Sequence, residues 1–183
     1  MAIALLVPLA SCSTKEEDNT LESGELVVIE DSSDINLAAY GFDTMNPIAT
    51  KSKSLSRVLD AVYEPLFTVD EKMNIIPVLA SSYSLSEDGK QITVDLNSEI
   101  KWQDGTNFTA DDVVFTLSKM RSGGGLYSSA AEKIHSFTAI NKHQVMVTFD
   151  QPSTDLAYYL TFPVISKGAH YSEGADFSPI GTG

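Results

Sequence analysis

A single cysteine, Cys12, cannot close an internal disulfide, so no cross-linked scaffold holds this chain together. Basic residues are scarce as well: 12 Lys and Arg stand against 25 Asp and Glu, for a formal charge of −13. Nucleic-acid binding rests on Lys and Arg neutralising phosphates, and this balance argues against it. His135, His143 and His170 are widely spaced and lack cysteine partners, so the converging ligands of a zinc site are not foreshadowed. No G-x-S-x-G elbow presents a nucleophilic serine. The glycines 123–125 lack the Lys-Ser/Thr pair and the strand-to-helix setting of a phosphate loop, and read as a linker or helix cap. Asp111-Asp112 read as helix-start acids facing the macrodipole, and the lone Trp102 beside Asp104-Gly105 reads as a packing anchor over a turn. These absences leave an enzyme unsupported and imply no cofactor and no metal.

What is present begins with MAIALLVPLASC. Residues 2–10 form an apolar run that fits a signal-peptide core and is too short to span a bilayer. Leu9-Ala10-Ser11-Cys12 resembles the lipobox of bacterial lipoproteins, although no Lys or Arg precedes Cys12. That resemblance implies that residues 1–11 are removed as a signal and that Cys12 carries the lipid. Two acyl chains on it would give stable anchoring where one chain binds only marginally. Residues 12–24 then read as an acidic, Gly-terminated tether, and residues 13–31 alone carry −6 of the −13.

The remainder is one domain's worth of chain, with 43% hydrophobic and 20% charged residues, as in soluble globular proteins. Glu25–Asp31 reads as a short buried strand. Leu55, Val58, Leu59 and Val62 fall at i, i+3, i+4 and i+7, one face of a helix that Pro65 stops. PLFTVD is a strand candidate, and IIPVLASSY reads as irregular around Pro77. Asp88-Gly89 between alternating runs predicts a hairpin with a two-residue turn. Thr109-Ala110-Asp111-Asp112 resembles a capping box, followed by Val113, Val114 and Leu117 at helical spacing, with the glycines ending that helix. A second hairpin is expected over 134–149, and Ser153 or Thr154 is expected to cap a short helix through Leu160. Helices and antiparallel hairpins in this order indicate a mixed α+β or α/β domain.

Five pieces in order carry a family resemblance: Y-E-P-L at 63–66, L-A-S-S-Y at 79–83, S-E-D-G at 86–89, W-Q-D-G at 102–105 and T-A-D-D-V at 109–113. With M-N-P at 45–47 and P-I-G-T-G at 179–183, they resemble the family 5 extracellular solute-binding proteins, the peptide- and nickel-type receptors of ABC importers. The resemblance implies a periplasmic-binding-protein-like type II fold whose lobes close on ligand about a hinge. It places 25–48 and 155–183 in lobe I and 49–154 in a smaller, hairpin-containing lobe II. A third lobe would follow in sequence, so the fold here is incomplete and Gly183 is expected to be a truncation point. The implied partners are a peptide or related small solute, an ABC permease with its ATPase, and the membrane through the lipid anchor, outside the cytoplasm. By position in the family, Thr50, Lys51, Ser52 and Lys53 border the cleft and Tyr127 turns an aromatic toward the ligand; Lys51 would pair a peptide carboxylate. A lipid-anchored sensory ectodomain of the same fold, and a truncated product that binds nothing, stay open as alternatives.

Overall fold

The computed structural model describes residues 43–168 and 179–183. Cys12, the expected signal and tether, and the expected strand at Glu25–Asp31 lie outside the described residues. The chain is mixed α/β with antiparallel sheets. Helix α1 (Lys53–Leu59) leads into a two-stranded hairpin, β1 (Phe67–Val69) and β2 (Ile75–Pro77). A four-stranded sheet follows, built from β3 (Ala80–Leu85), β4 (Gln91–Leu96), β5 (Ile134–Asn141) and β6 (Gln144–Phe149) in the order β3-β4-β6-β5, every pair antiparallel. Helices α2 (Ala110–Ser122) and α3 (Ser128–Ala131) connect β4 to β5, and a 3-10 turn spans Leu156–Leu160.

Alternation explains the central strands. Ile92, Val94 and Leu96 on β4 and Val145, Val147 and Phe149 on β6 are buried, while the residues between them are half-buried. Register pairs Ile92 with Val147 and Val94 with Val145, so four branched side chains form one continuous apolar strip. Each such side chain fully removed from water contributes about 1.5–3 kcal/mol. Helix α2 covers this face through Val113, Leu117 and Met120. Its last turn is tied to the sheet by Arg121, whose guanidinium donates to the carbonyls of Ile134 at 3.0 Å and His135 at 3.2 Å and lies 4.7 Å from the Phe137 ring centre. The opposite sheet face is hydroxyl-rich: Ser84 pairs with Thr93, and Thr93 and Thr138 both flank Met146.

Several turns differ from their sequence-based expectation. The β3–β4 connection runs from Ser86 to Lys90 and is wider than a two-residue turn; only Gly89 has positive φ, at 64°. The Asp88 carboxylate accepts from the Ser86 hydroxyl at 2.6 Å and the Lys90 amide at 3.0 Å, and these bonds sustain the wider loop. IIPVLASSY is not irregular but holds β2 and the start of β3. The later part of β3 is the first arm of the expected hairpin; its start inside IIPVLASSY went unmarked because this edge strand is exposed at every position after Ala80. Helix α1 ends at Leu59, before Pro65, with Asp60 as its C-cap. Neither Ser153 nor Thr154 caps the 3-10 turn; Asp155 holds that place, and its amide donates to Ser153 Oγ at 3.0 Å.

Candidate functional site

The expected cleft-bordering loop is built from its own side chains. Asn46 begins a turn: its carbonyl accepts the amides of Ala49 and Thr50, each at 3.1 Å, and its Oδ1 accepts Ile48 N–H at 3.2 Å. Asp43 pulls the following residues in. Its carboxylate accepts the Thr50 hydroxyl at 2.6 Å, the Lys51 amide at 2.7 Å and the Thr44 amide at 2.8 Å. Desolvation raises the Asp43 pKa, and these three donors outweigh it, leaving the carboxyl below its ordinary range. Thr50 Oγ1 in turn accepts Ser52 N–H at 3.1 Å, and Ser52 Oγ accepts Leu55 N–H at 3.3 Å as the N-cap of α1.

The glycine segment after α2 packs against this loop. Leu126 N–H donates to the Thr50 carbonyl at 3.1 Å. A Cβ on Gly125 would lie 2.0 Å from the Ile48 carbonyl oxygen, so only glycine lets the two backbones meet here. Tyr127 follows, half-buried, with its hydroxyl 3.3 Å from Ser56 Oγ on α1. Burial raises the Tyr127 pKa, the Ser56 contact opposes that, and the Asp60 charge adds to it. Two segments more than seventy positions apart are thereby locked into one surface.

The sequence-predicted residues take different places on it. Thr50 is fully buried, and its hydroxyl holds the loop through Asp43. Ser52 is half-buried and caps the helix. Lys51 and Lys53 are exposed, and the Tyr127 ring is held against α1 at Ser56. Sequence reasoning missed Asp43, Ser56 and Gly125, which shape the surface. Only Asp43 left a local signal, as a short-range acceptor ahead of a turn.

The motif residues pack instead. Trp102 is buried edge-on against Phe108, with ring centres 6.0 Å apart. Asp112 is buried too; its Oδ2 accepts Thr109 N–H at 2.9 Å and Trp102 Nε1–H at 3.3 Å, and its Oδ1 accepts Lys167 N–H at 2.8 Å. The Thr109 bond is one arm of the expected capping box. Among the described residues no group of His, Cys, Asp or Glu is arranged to hold a metal, and no helix is long and apolar enough to cross a membrane. A concavity of about 350 Å3 opens beyond α3, over Phe149 and Tyr159 between Glu132 and Pro152. None of the predicted site residues lines it, and the Asp150 carboxylate on its rim is already paired to His135 at 3.0 Å.

Comparison with known proteins assigns the chain to a family. Residues 74–183, more than half the chain, match the family described as bacterial extracellular solute-binding proteins, family 5 Middle. The chain belongs to family 5 of the solute-binding proteins. The glutathione-binding protein GsiB of Escherichia coli strain K12 is 33% identical over 153 residues, covering 78% of this chain and 29% of that protein. The chain therefore spans about three-tenths of the length of the curated relatives it matches. Among solved structures, NikZ from Campylobacter jejuni in complex with Ni(L-His) superposes with a TM-score of 0.66 at 26% identity, over 80% of this chain and 31% of that one. The oligopeptide-binding protein AppA from Bacillus subtilis, in complex with a nonapeptide, shares the fold at a TM-score of 0.64 and 23% identity, over 74% of this chain and 30% of its own. These family 5 relatives are binding proteins, and the type II periplasmic-binding-protein fold is shared with them over part of their length.

Proposed function

We propose that this chain is part of the solute receptor of an ABC importer, capturing a peptide or related small solute and delivering it to a permease driven by its ATPase. It binds and does not catalyse. The observation that supports the reading is the interlock of residues 43–53 with 125–127, which joins the loop carrying Lys51 and Lys53 to the segment carrying Tyr127. Thr50 and Ser52 shape that surface, and the two exposed ammonium groups and the aromatic meet the solute. Glutathione, histidine and peptides all carry carboxylates, and ammonium groups at a closing cleft suit them. Residues 25–48 and 155–183 belong to lobe I and 49–154 to lobe II, with the solute held between lobes in the whole protein. Cys12 carries a lipid that keeps the receptor at the outer face of the membrane.

The test is isothermal titration of the protein isolated from membranes against reduced glutathione, a nonapeptide and the nickel–histidine complex. One of the three is expected to bind, and Lys51→Ala with Lys53→Ala should weaken it by about tenfold, as for a lost charge-assisted hydrogen bond out of bulk water. Binding by none of the three, or affinity unchanged in the double variant, overturns the assignment. Intact mass of the same sample reads the lipid on Cys12.

A further inference from the structure

The W-Q-D-G turn at 102–105 and the P-I-G-T-G segment at 179–183 lie far apart in sequence and meet in the structure. The turn closes on itself: Trp102 N–H donates to the Thr106 carbonyl at 2.9 Å, Gly105 N–H to the Trp102 carbonyl at 2.8 Å, and Asp104 Oδ1 accepts the Thr106 amide at 2.9 Å. That leaves Gln103 projecting from the tip. Its backbone N–H donates to the Gly181 carbonyl at 2.9 Å, its Oε1 accepts Gly181 N–H at 3.1 Å, and its Nε2 donates to the Gly183 carbonyl at 2.8 Å. One residue therefore meets the glycine segment with three hydrogen bonds, its side-chain amide acting as a second peptide group. The far side of the segment rests on the chain after α1, where Gly183 N–H donates to the Val62 carbonyl at 3.2 Å. A Cβ on Gly181 would stand 1.7 Å from that same carbonyl oxygen, so the approach needs glycine.

We propose that Gln103 is the positioning residue of a joint that docks the G-T-G segment onto the end of α1, fixing lobe I to lobe II at the pole of α1 opposite the solute surface. This rests on the lobe division proposed above. The same short helix bears Ser52 and Lys53 at its start and leads to Val62 at the joint, so the solute loop and the lobe junction share one rigid strut. The second position of the W-x-D-G motif, which looks like a spacer in sequence, joins the proposed lobes at this end of α1, as Asp112 with Lys167 joins them elsewhere.

The experiment is site-resolved amide hydrogen exchange on the 183-residue chain without any solute, so its failure is separable from failure of the solute reading. Gln103→Ala removes both side-chain bonds and should speed exchange at the Gly181 amide at least tenfold, with no change at Ile92 or Val147 in the central sheet. Gln103→Glu keeps an acceptor for Gly181 N–H and sets an oxygen against the Gly183 carbonyl. It should hold Gly181 protected to within about threefold while losing the second bond. Gly181→Ala should reproduce the Gln103→Ala exchange pattern. Unchanged Gly181 exchange in Gln103→Ala, or identical behaviour of the Ala and Glu variants, overturns the joint. Should Gln103→Ala also release Ile92 and Val147, the Glu variant alone decides by the same criterion.

Discussion

Replacing Asp112 by alanine removes the acceptor at which three segments converge. The carboxylate is 5% exposed and takes two short bonds, from Lys167 N–H at 2.8 Å and Thr109 N–H at 2.9 Å, besides the longer Trp102 Nε1 contact at 3.3 Å. Hydrogen bonds to a charged group contribute about 1.5–3 kcal/mol each, and donors left unpaired out of water keep their desolvation cost. The two short bonds alone give a loss of about 3–6 kcal/mol, a large fraction of the roughly 5–15 kcal/mol that holds a domain folded. Asparagine is the sharper probe. Its amide fills the same volume, but one of its two heads must present N–H to a donor, either Lys167 or the Thr109–Trp102 pair. Asp112→Asn should therefore cost about 2–3 kcal/mol, not nothing. Urea unfolding of the three proteins reads this as a fall in midpoint at constant slope. If alanine costs less than about 1 kcal/mol, or asparagine matches the parent, the buried carboxylate is not the fastener described here.

Two further predictions use other features. Gly125→Ala places a methyl group against the Ile48 carbonyl and should push the two loops of the candidate site apart, weakening solute binding by about tenfold or more while shifting the melting temperature by only a few degrees, about 1 kcal/mol; binding at parental strength refutes the interlock. Tyr63 is 1% exposed and, among the described residues, its hydroxyl makes no well-formed hydrogen bond and meets only the Ile180 backbone, so Tyr63→Phe should leave stability unchanged or raise it by up to about 1 kcal/mol, read by urea midpoint. Burial pushes the Tyr63 pKa well above its ordinary 10.0, opposed by the Ile180 backbone, so the contribution of the neutral phenol is complete below that ordinary value and is lost as pH rises above it. The phenylalanine variant should lose less stability than the parent between neutral pH and about pH 11, and equal losses in the two proteins would refute the buried, unpaired phenol.

Local signals carried the elements whose burial is one-sided. Val145, Val147 and Phe149 alternate because β6 lies inside the sheet with one face on α2, and Thr109 with Asp112 marks a helix start that the structure caps. The start of strand β3 was hidden because an edge strand needs no apolar face, and the pairing of the expected strand β1 with β2 because their turn uses Met73 at φ 65°, a residue that seldom marks a turn. The candidate surface divides differently. Lys51, Lys53 and Tyr127 were singled out by their position in the family the sequence resembles, not by any local pattern. Gly125 against Ile48 was not, since a close approach between distant segments depends on tertiary packing that no local pattern contains. Gln103 was hidden more thoroughly, as the unremarked letter inside a recognised motif.

The strand order β3-β4-β6-β5 has a kinetic consequence. The central pair of the sheet, β4 with β6, matches Asp95 to Gln144, so the two hairpins cannot join into one sheet until α2, α3 and β5 have been made and placed. Closing so long a loop before any reward for contact is slow, and sheets dominated by distant pairing fold far more slowly than helical bundles. While β6 is still missing, β4 has only its hairpin partner and the apolar strip of Ile92 and Val94 has no opposite row, so the sheet face that α2 covers cannot close.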